Sequence, residues 1–104
     1  MLGGMYIVVL NYIAPLEEID HALAKHGEWL ERNYQGGRFL LSGRRNPRVG
    51  GVIITKSMPR EELDAVLAED PFSALKLAQH EVFEFFPTKT APELNILRET
   101  GESR

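Results

Sequence analysis

Six segments of regular apolar spacing follow one another in a fixed order, and that order constrains the fold more than any single residue does. YIVVLNY (6–12) is rich in β-branched and aromatic residues and predicts a strand, apolar enough for burial on both faces as a central strand. Pro15 opens a helix over Leu16–Tyr34, with Glu17, Glu18 and Asp20 in its first turn, where the helix dipole favours acids. Leu16, Ile19, Leu23, Leu30 and Tyr34 form one stripe, and Gly36-Gly37 stops the helix. RFLLSG (38–43) and GVIITK (51–56) predict two strands joined as a hairpin by RRNPRVG. Pro59 precedes a second helix, REELDAVLAED, with Leu63, Val66 and Leu67 on its apolar face. Asp70-Pro71 ends it, and FSALKLA adds a further helical turn. HEVFEFFPT predicts the last strand, with Glu81, Phe83 and Phe85 on one face and Val82, Glu84 and Phe86 on the other.

The order β-α-β-β-α-β predicts an α+β, ferredoxin-like domain, a four-stranded antiparallel sheet with both helices on one face. The opposite face would carry phenylalanines in water, so a homodimer closing face to face into a dimeric α/β barrel-like assembly is expected. The 104 residues suit one domain, with a core over about 5–87 and a weakly patterned tail over 88–104.

Composition narrows the function classes. No cysteine is present, which excludes disulfides and thiolate chemistry, and the start lacks a basic segment and a cleavage site of the export type. Both features fit the cytoplasm. No apolar run reaches membrane-spanning length, so no membrane partner is expected. A net charge of −3 argues against nucleic acid as the main partner. Arg38, Arg44, Arg45 and Arg48 nevertheless cluster around the hairpin loop. They form either a solvated loop or an anion-binding rim, since guanidinium forks pair with carboxylates.

KHGEWL (25–30) places His26 at the edge of the first helix's apolar stripe, at roughly 280° on a wheel that sets Leu16 at zero. A core histidine with one satisfied hydrogen bond is the simplest reading. Gly27 beside it costs about 1 kcal/mol relative to alanine. Its presence reflects either close packing against another backbone or room for a ligand beside His26. Asp70, in AEDPF, is either a turn aspartate or a carboxylate that reaches an imidazole on the neighbouring helix, orienting the ring and raising its basicity. His21, on the polar face, and His80, at the start of the last strand with no spaced partner, are weaker candidates. Three scattered histidines without HxH or HExxH spacing do not predict a metal site. Ser42 lacks the setting of a hydrolase nucleophile.

The strand YIVVL, the helix histidine in KHGEWLERN, the strand end LLSG and the DPF after the second helix, in that order, resemble the YCII-related (YciI-like) proteins over roughly Met5–Pro87. The resemblance implies a ferredoxin-like fold that dimerises through its sheets, and a His–Asp active site that would here be His26 and Asp70. Ser42 and Gly43 match the small-residue segment at the pocket edge, and Phe72 matches the aromatic after Asp-Pro. Some relatives look like dehydrochlorinases acting on chlorinated or hydroxylated aromatic rings. The basic loop RRNPRVG departs from the acidic or glycine-rich segment of many relatives.

Three functions compete. The first is a cofactor-independent lyase or isomerase in which His26 is the acid or base, Asp70 orients it, and Ser42, Gly43, Arg44, Arg45 and Phe72 hold a small, anionic substrate. The second is a non-catalytic ligand-binding or accessory module of the same fold. The third is chemistry analogous to other cofactor-free isomerases and monooxygenases built on this fold, which the fold itself does not distinguish.

Overall fold

The computed structural model describes residues 3–98 of the chain. Four strands form one antiparallel sheet: β1 (Met5–Tyr12), β2 (Phe39–Arg44), β3 (Gly50–Thr55) and β4 (Ala78–Phe85), in the order β2-β3-β1-β4. Helix α1 (Leu16–Gln35) connects β1 to β2, while α2 (Arg60–Ala68) and the one-turn α3 (Pro71–Ala74) connect β3 to β4. The ferredoxin-like sheet and its element order are as the sequence predicts. β1 is central, paired with β3 from Ile7 to Asn11 and with β4 along its whole length.

Alternation along β1 sends Tyr6, Val8 and Leu10 into the core beneath the helices, whereas Ile7 and Val9 on the other face stay half-buried. β1 is therefore fully buried on one face only. The row through Ile7 on that outer face runs Leu41, Ile54, Ile7, Phe83, and its two ends, Leu41 and Phe83, are 51% and 53% exposed.

The barrel-like dimeric assembly expected from that apolar face is not what the structure shows. β2 and β4 are opposite edges of an open four-stranded sheet and do not pair with each other, so the sheet is not closed into a barrel. The alternation in β4 correctly divides its two faces, but closure depends on strand pairing, stagger and number, about which alternation says nothing.

The buried face of α1 is Ile19, Ala22, His26, Trp29 and Asn33, at alternating spacings of three and four. Leu16 and Leu23, expected in the stripe, are 43% and 44% exposed. The true face is turned by roughly 60° from the leucine stripe, which puts His26 at its centre instead of its edge. Trp29 decides the rotation. It is fully buried, sits edge-on to Phe39 at 5.3 Å, and donates from Nε1 to the Val66 carbonyl in the last turn of α2. That bond gives a second donor to a helix-end carbonyl that already accepts from the Glu69 N–H, and it fixes how far α1 advances past α2. The helix ends in a Schellman motif: Arg38 N–H reaches the Asn33 carbonyl, Gly37 N–H reaches that of Tyr34, and Gly37 takes the left-handed φ of 75°.

Beyond β4, residues Pro92–Leu97 form a 3-10 helix with no buried residue, and Ile96 is 91% exposed. No helix among the described residues is long and apolar enough to cross a membrane.

Candidate active site

Asp70 is the N-cap of α3, and the tripeptide Asp70-Pro71-Phe72 builds the centre of the site by local rules. Pro71 occupies the first helical position, where a missing N–H costs nothing. Asp70 Oδ1 then accepts the N–H of Phe72 at 3.0 Å, as an aspartate cap does. The cap turns the carboxylate inward, and Phe72 follows it into the core.

His26 meets this cap from α1. Its Nδ1 lies 2.8 Å from Asp70 Oδ1, and its ring stacks on Phe72 with centroids 4.0 Å apart and planes within 8°. The structure thus forms the buried His–Asp pair, with Asp70 at 0% exposure and His26 at 9%. A third member is present that the sequence did not single out. His80 Nε2 lies 3.1 Å from Asp70 Oδ2, so each carboxylate oxygen faces one imidazole. The missed signal was register. His80 stands opposite Leu10, and Leu10 belongs to the buried face of β1, so His80 faces the helices.

The Asp70 carboxyl is subject to opposing influences. Burial pushes its pKa up, while the hydrogen bonds from His26 and His80, the charge of His26 and the Phe72 N–H pull it down. The downward influences prevail, and the pKa lies below the ordinary aspartate value. Asp70 is thus a buried anion, and both ring nitrogens that face it carry protons. In neutral His26 this leaves Nε2 as the free lone pair. Nε2 has no hydrogen-bond partner among the described residues.

His26 lines a cavity of about 210 Å³ between α1 and the sheet. Leu10, Tyr12, Leu23, Leu30, Val52, Ile53 and Phe72 give it an apolar lining, and Ser42, Gly43, Arg44, Gly50 and Gly51 complete the wall. Gly50 and Gly51 have little room for a side chain there. A Cβ on Gly50 would lie 1.7 Å from the Leu10 carbonyl oxygen, and one on Gly51, which stands between Leu10 and Arg44 in the same cross-strand row, would lie 3.0 Å from the Gly43 carbonyl oxygen. The leucines that misplaced the buried stripe, Leu23 and Leu30, are cavity wall.

The candidate residues separate. Ser42, Gly43, Arg44 and Phe72 line the cavity together with His26. Ser42 Oγ is 2.6 Å from the Tyr34 hydroxyl. Arg45 lies outside the cavity and donates to Asn11 Oδ1, while Arg48 pairs with Asp20 and Arg38 faces Glu62 at 3.4 Å. Of the four loop-region arginines, Arg44 alone has no acidic or hydrogen-bonding partner among the described residues, and it forms part of the cavity wall. Gly27 points away: a Cβ there would meet nothing within 4 Å, and the residue does not line the cavity. Neither close packing nor access to the site explains this glycine.

Among the described residues no group of three or more histidines, aspartates and glutamates is arranged to hold a metal ion. The two imidazoles instead donate to one carboxylate.

These features define a ferredoxin-like domain whose buried histidine–aspartate pair supports acid/base chemistry at the wall of a small, largely apolar cavity. The chain belongs to the YCII-related domain family, whose model matches residues 5–86. Comparison with curated proteins and with solved structures gives no match.

Proposed function

We propose that this protein is a cofactor-independent catalyst of proton transfer on a small anionic molecule with a planar apolar body, a hydroxylated or chlorinated aromatic acid being the class that fits. One observation carries the reading: Asp70 binds His26 Nδ1 and leaves Nε2 unbonded, in a ring that forms cavity wall. In this scheme the substrate's apolar body lies against Phe72, Leu10 and Leu30, and its carboxylate or phenolate pairs with Arg44. With the hydroxylated ring in its non-aromatic keto tautomer, in which the carbon that bears chlorine is sp3, His26 Nε2 takes a proton from a ring hydroxyl or from a C–H beside the carbonyl, and Asp70 stabilises the imidazolium that results. The released electron pair forms the new double bond. A departing chloride, leaving with its bonding pair, makes the reaction an elimination. Return of the proton from Nε2 to another atom makes it an isomerisation.

The test is turnover of a panel of chlorinated and hydroxylated benzoates and phenols, followed by chloride release and ultraviolet absorbance, for the natural chain and His26→Ala. Loss of the general base should lower the rate by about 10²–10⁴-fold. Equal rates for both chains would reject the proposal. Saturable binding without turnover would assign the cavity to a ligand-binding module instead.

A further inference from the structure

The two oxygens of Asp70 are served unequally. Oδ1 accepts from both His26 Nδ1 and the Phe72 N–H, whereas Oδ2 accepts from His80 Nε2 alone among the described residues. Asp70 has no exposed surface, so water does not replace a missing donor without rearrangement. We propose that His80 is a positioning residue, which holds Asp70 ionised and aligned so that His26 keeps its proton on Nδ1 and presents a bare Nε2 to the cavity.

The argument runs through the tautomers. An ionised carboxylate only accepts, so both facing nitrogens must be N–H donors: Nδ1 of His26 and Nε2 of His80. Without His80, Oδ2 becomes a buried unpaired acceptor. The carboxyl then either takes a proton or turns to find another donor. Both responses weaken the demand that His26 carry its proton on Nδ1, and a ring protonated on Nε2 no longer offers a base. His80 itself does not relay the proton, because the nitrogen it turns to Asp70 already bears one. The sheet gives it the rigidity a positioning residue needs: β4 pairs with β1 over eight residues, and His80, opposite Leu10, has paired residues on both sides of it in that run. His21, on the exposed face of α1, has no comparable role.

The functional consequence rests on His26 being the proton carrier, but the test does not use turnover. Long-range ¹⁵N–¹H NMR of the full chain, at a pH where the rings are neutral, reads the tautomer of each histidine. The natural chain should show His26 as Nδ1–H and His80 as Nε2–H. In His80→Phe, which keeps a ring but removes the donor, the His26 signal should shift from Nδ1–H to a mixture containing Nε2–H. A folded His80→Phe with His26 still wholly Nδ1–H would overturn the inference. Should that variant fail to fold, the natural chain decides: His80 as Nε2–H supports the inference, and His80 as Nδ1–H overturns it. The two proposals fail separately. An active His26→Ala rejects the catalytic reading and leaves the tautomer result standing, whereas an unmoved tautomer in His80→Phe rejects only the positioning role.

Discussion

His26 Nδ1 and Asp70 Oδ1 stand 2.8 Å apart although 44 positions of chain separate them. Neither residue achieves this alone. The Trp29–Val66 bond sets how far α1 advances along α2, the cap of α3 aims the carboxylate, and the Phe72 ring holds the imidazole flat. Capping, packing and charge all act on one contact, so each is open to separate perturbation.

Acid stability should depend on Asp70. Its folded pKa lies below the ordinary value of 3.8, so its contribution is complete above about pH 4 and is lost as pH falls through the lowered folded value. Asp70→Asn, which retains a capping oxygen, should cost about 2 kcal/mol at neutral pH. The gap between the two chains should close as urea unfolding is repeated from pH 5 down to pH 2.5. Parallel curves would show that the carboxylate charge does not contribute.

Phe72→Leu should separate the ring from the cap. The backbone N–H that Asp70 accepts survives the change, while the stack on His26, the edge contact with Tyr12 at 5.9 Å and part of the ring's core packing are lost. A cost of about 1.5 kcal/mol is expected in chemical denaturation. A much larger loss would mean that the cap had moved as well.

Arg44→Gln should leave stability within about 0.5 kcal/mol, since the side chain is exposed and unpaired among the described residues. Benzoate binding followed by NMR titration should weaken by about tenfold, while a neutral analogue such as benzamide binds both chains alike. Equal weakening for both ligands would point to a reshaped cavity.

Gly27→Ala should stabilise the protein by about 1 kcal/mol, because the position is helical, exposed and open around the added methyl. Thermal unfolding measures the gain. Binding in the cavity should not change, as the residue does not line it.

The elements were legible in the sequence because each has its own period and its own stop signal: Gly36-Gly37 for α1, Pro59 before α2, Asp70-Pro71 between α2 and α3. The face of α1 was harder to place. Leucine is an apolar residue wherever it stands, and Leu23 covers a cavity wall that period alone does not distinguish from core. Ala22 and Trp29, which do face the core, are too small and too isolated to outweigh four leucines and isoleucines in the pattern. Asp70 was legible because Asp70-Pro71 ends a helix, which puts a carboxylate where it can reach an imidazole on the neighbouring helix. His80 was not, because its role depends on which residue of β1 it faces, and pairing register is a tertiary fact. The closed assembly was inferred from an apolar sheet face, whereas the strand order leaves two free edges.

One row of the sheet runs Arg44, Gly51, Leu10, His80, from the edge strand β2 across to β4. Its two ends have different jobs and different tolerances. The His80 end is tied to a buried carboxylate, where a substitution removes the partner of Asp70 Oδ2. The Arg44 end is exposed on a strand paired along one side only, where a change alters the charge offered to a ligand and little else. Under the proposed function, ligand choice and proton chemistry are therefore separable traits: an engineer, or natural drift, would retune the first at position 44 and leave the second intact.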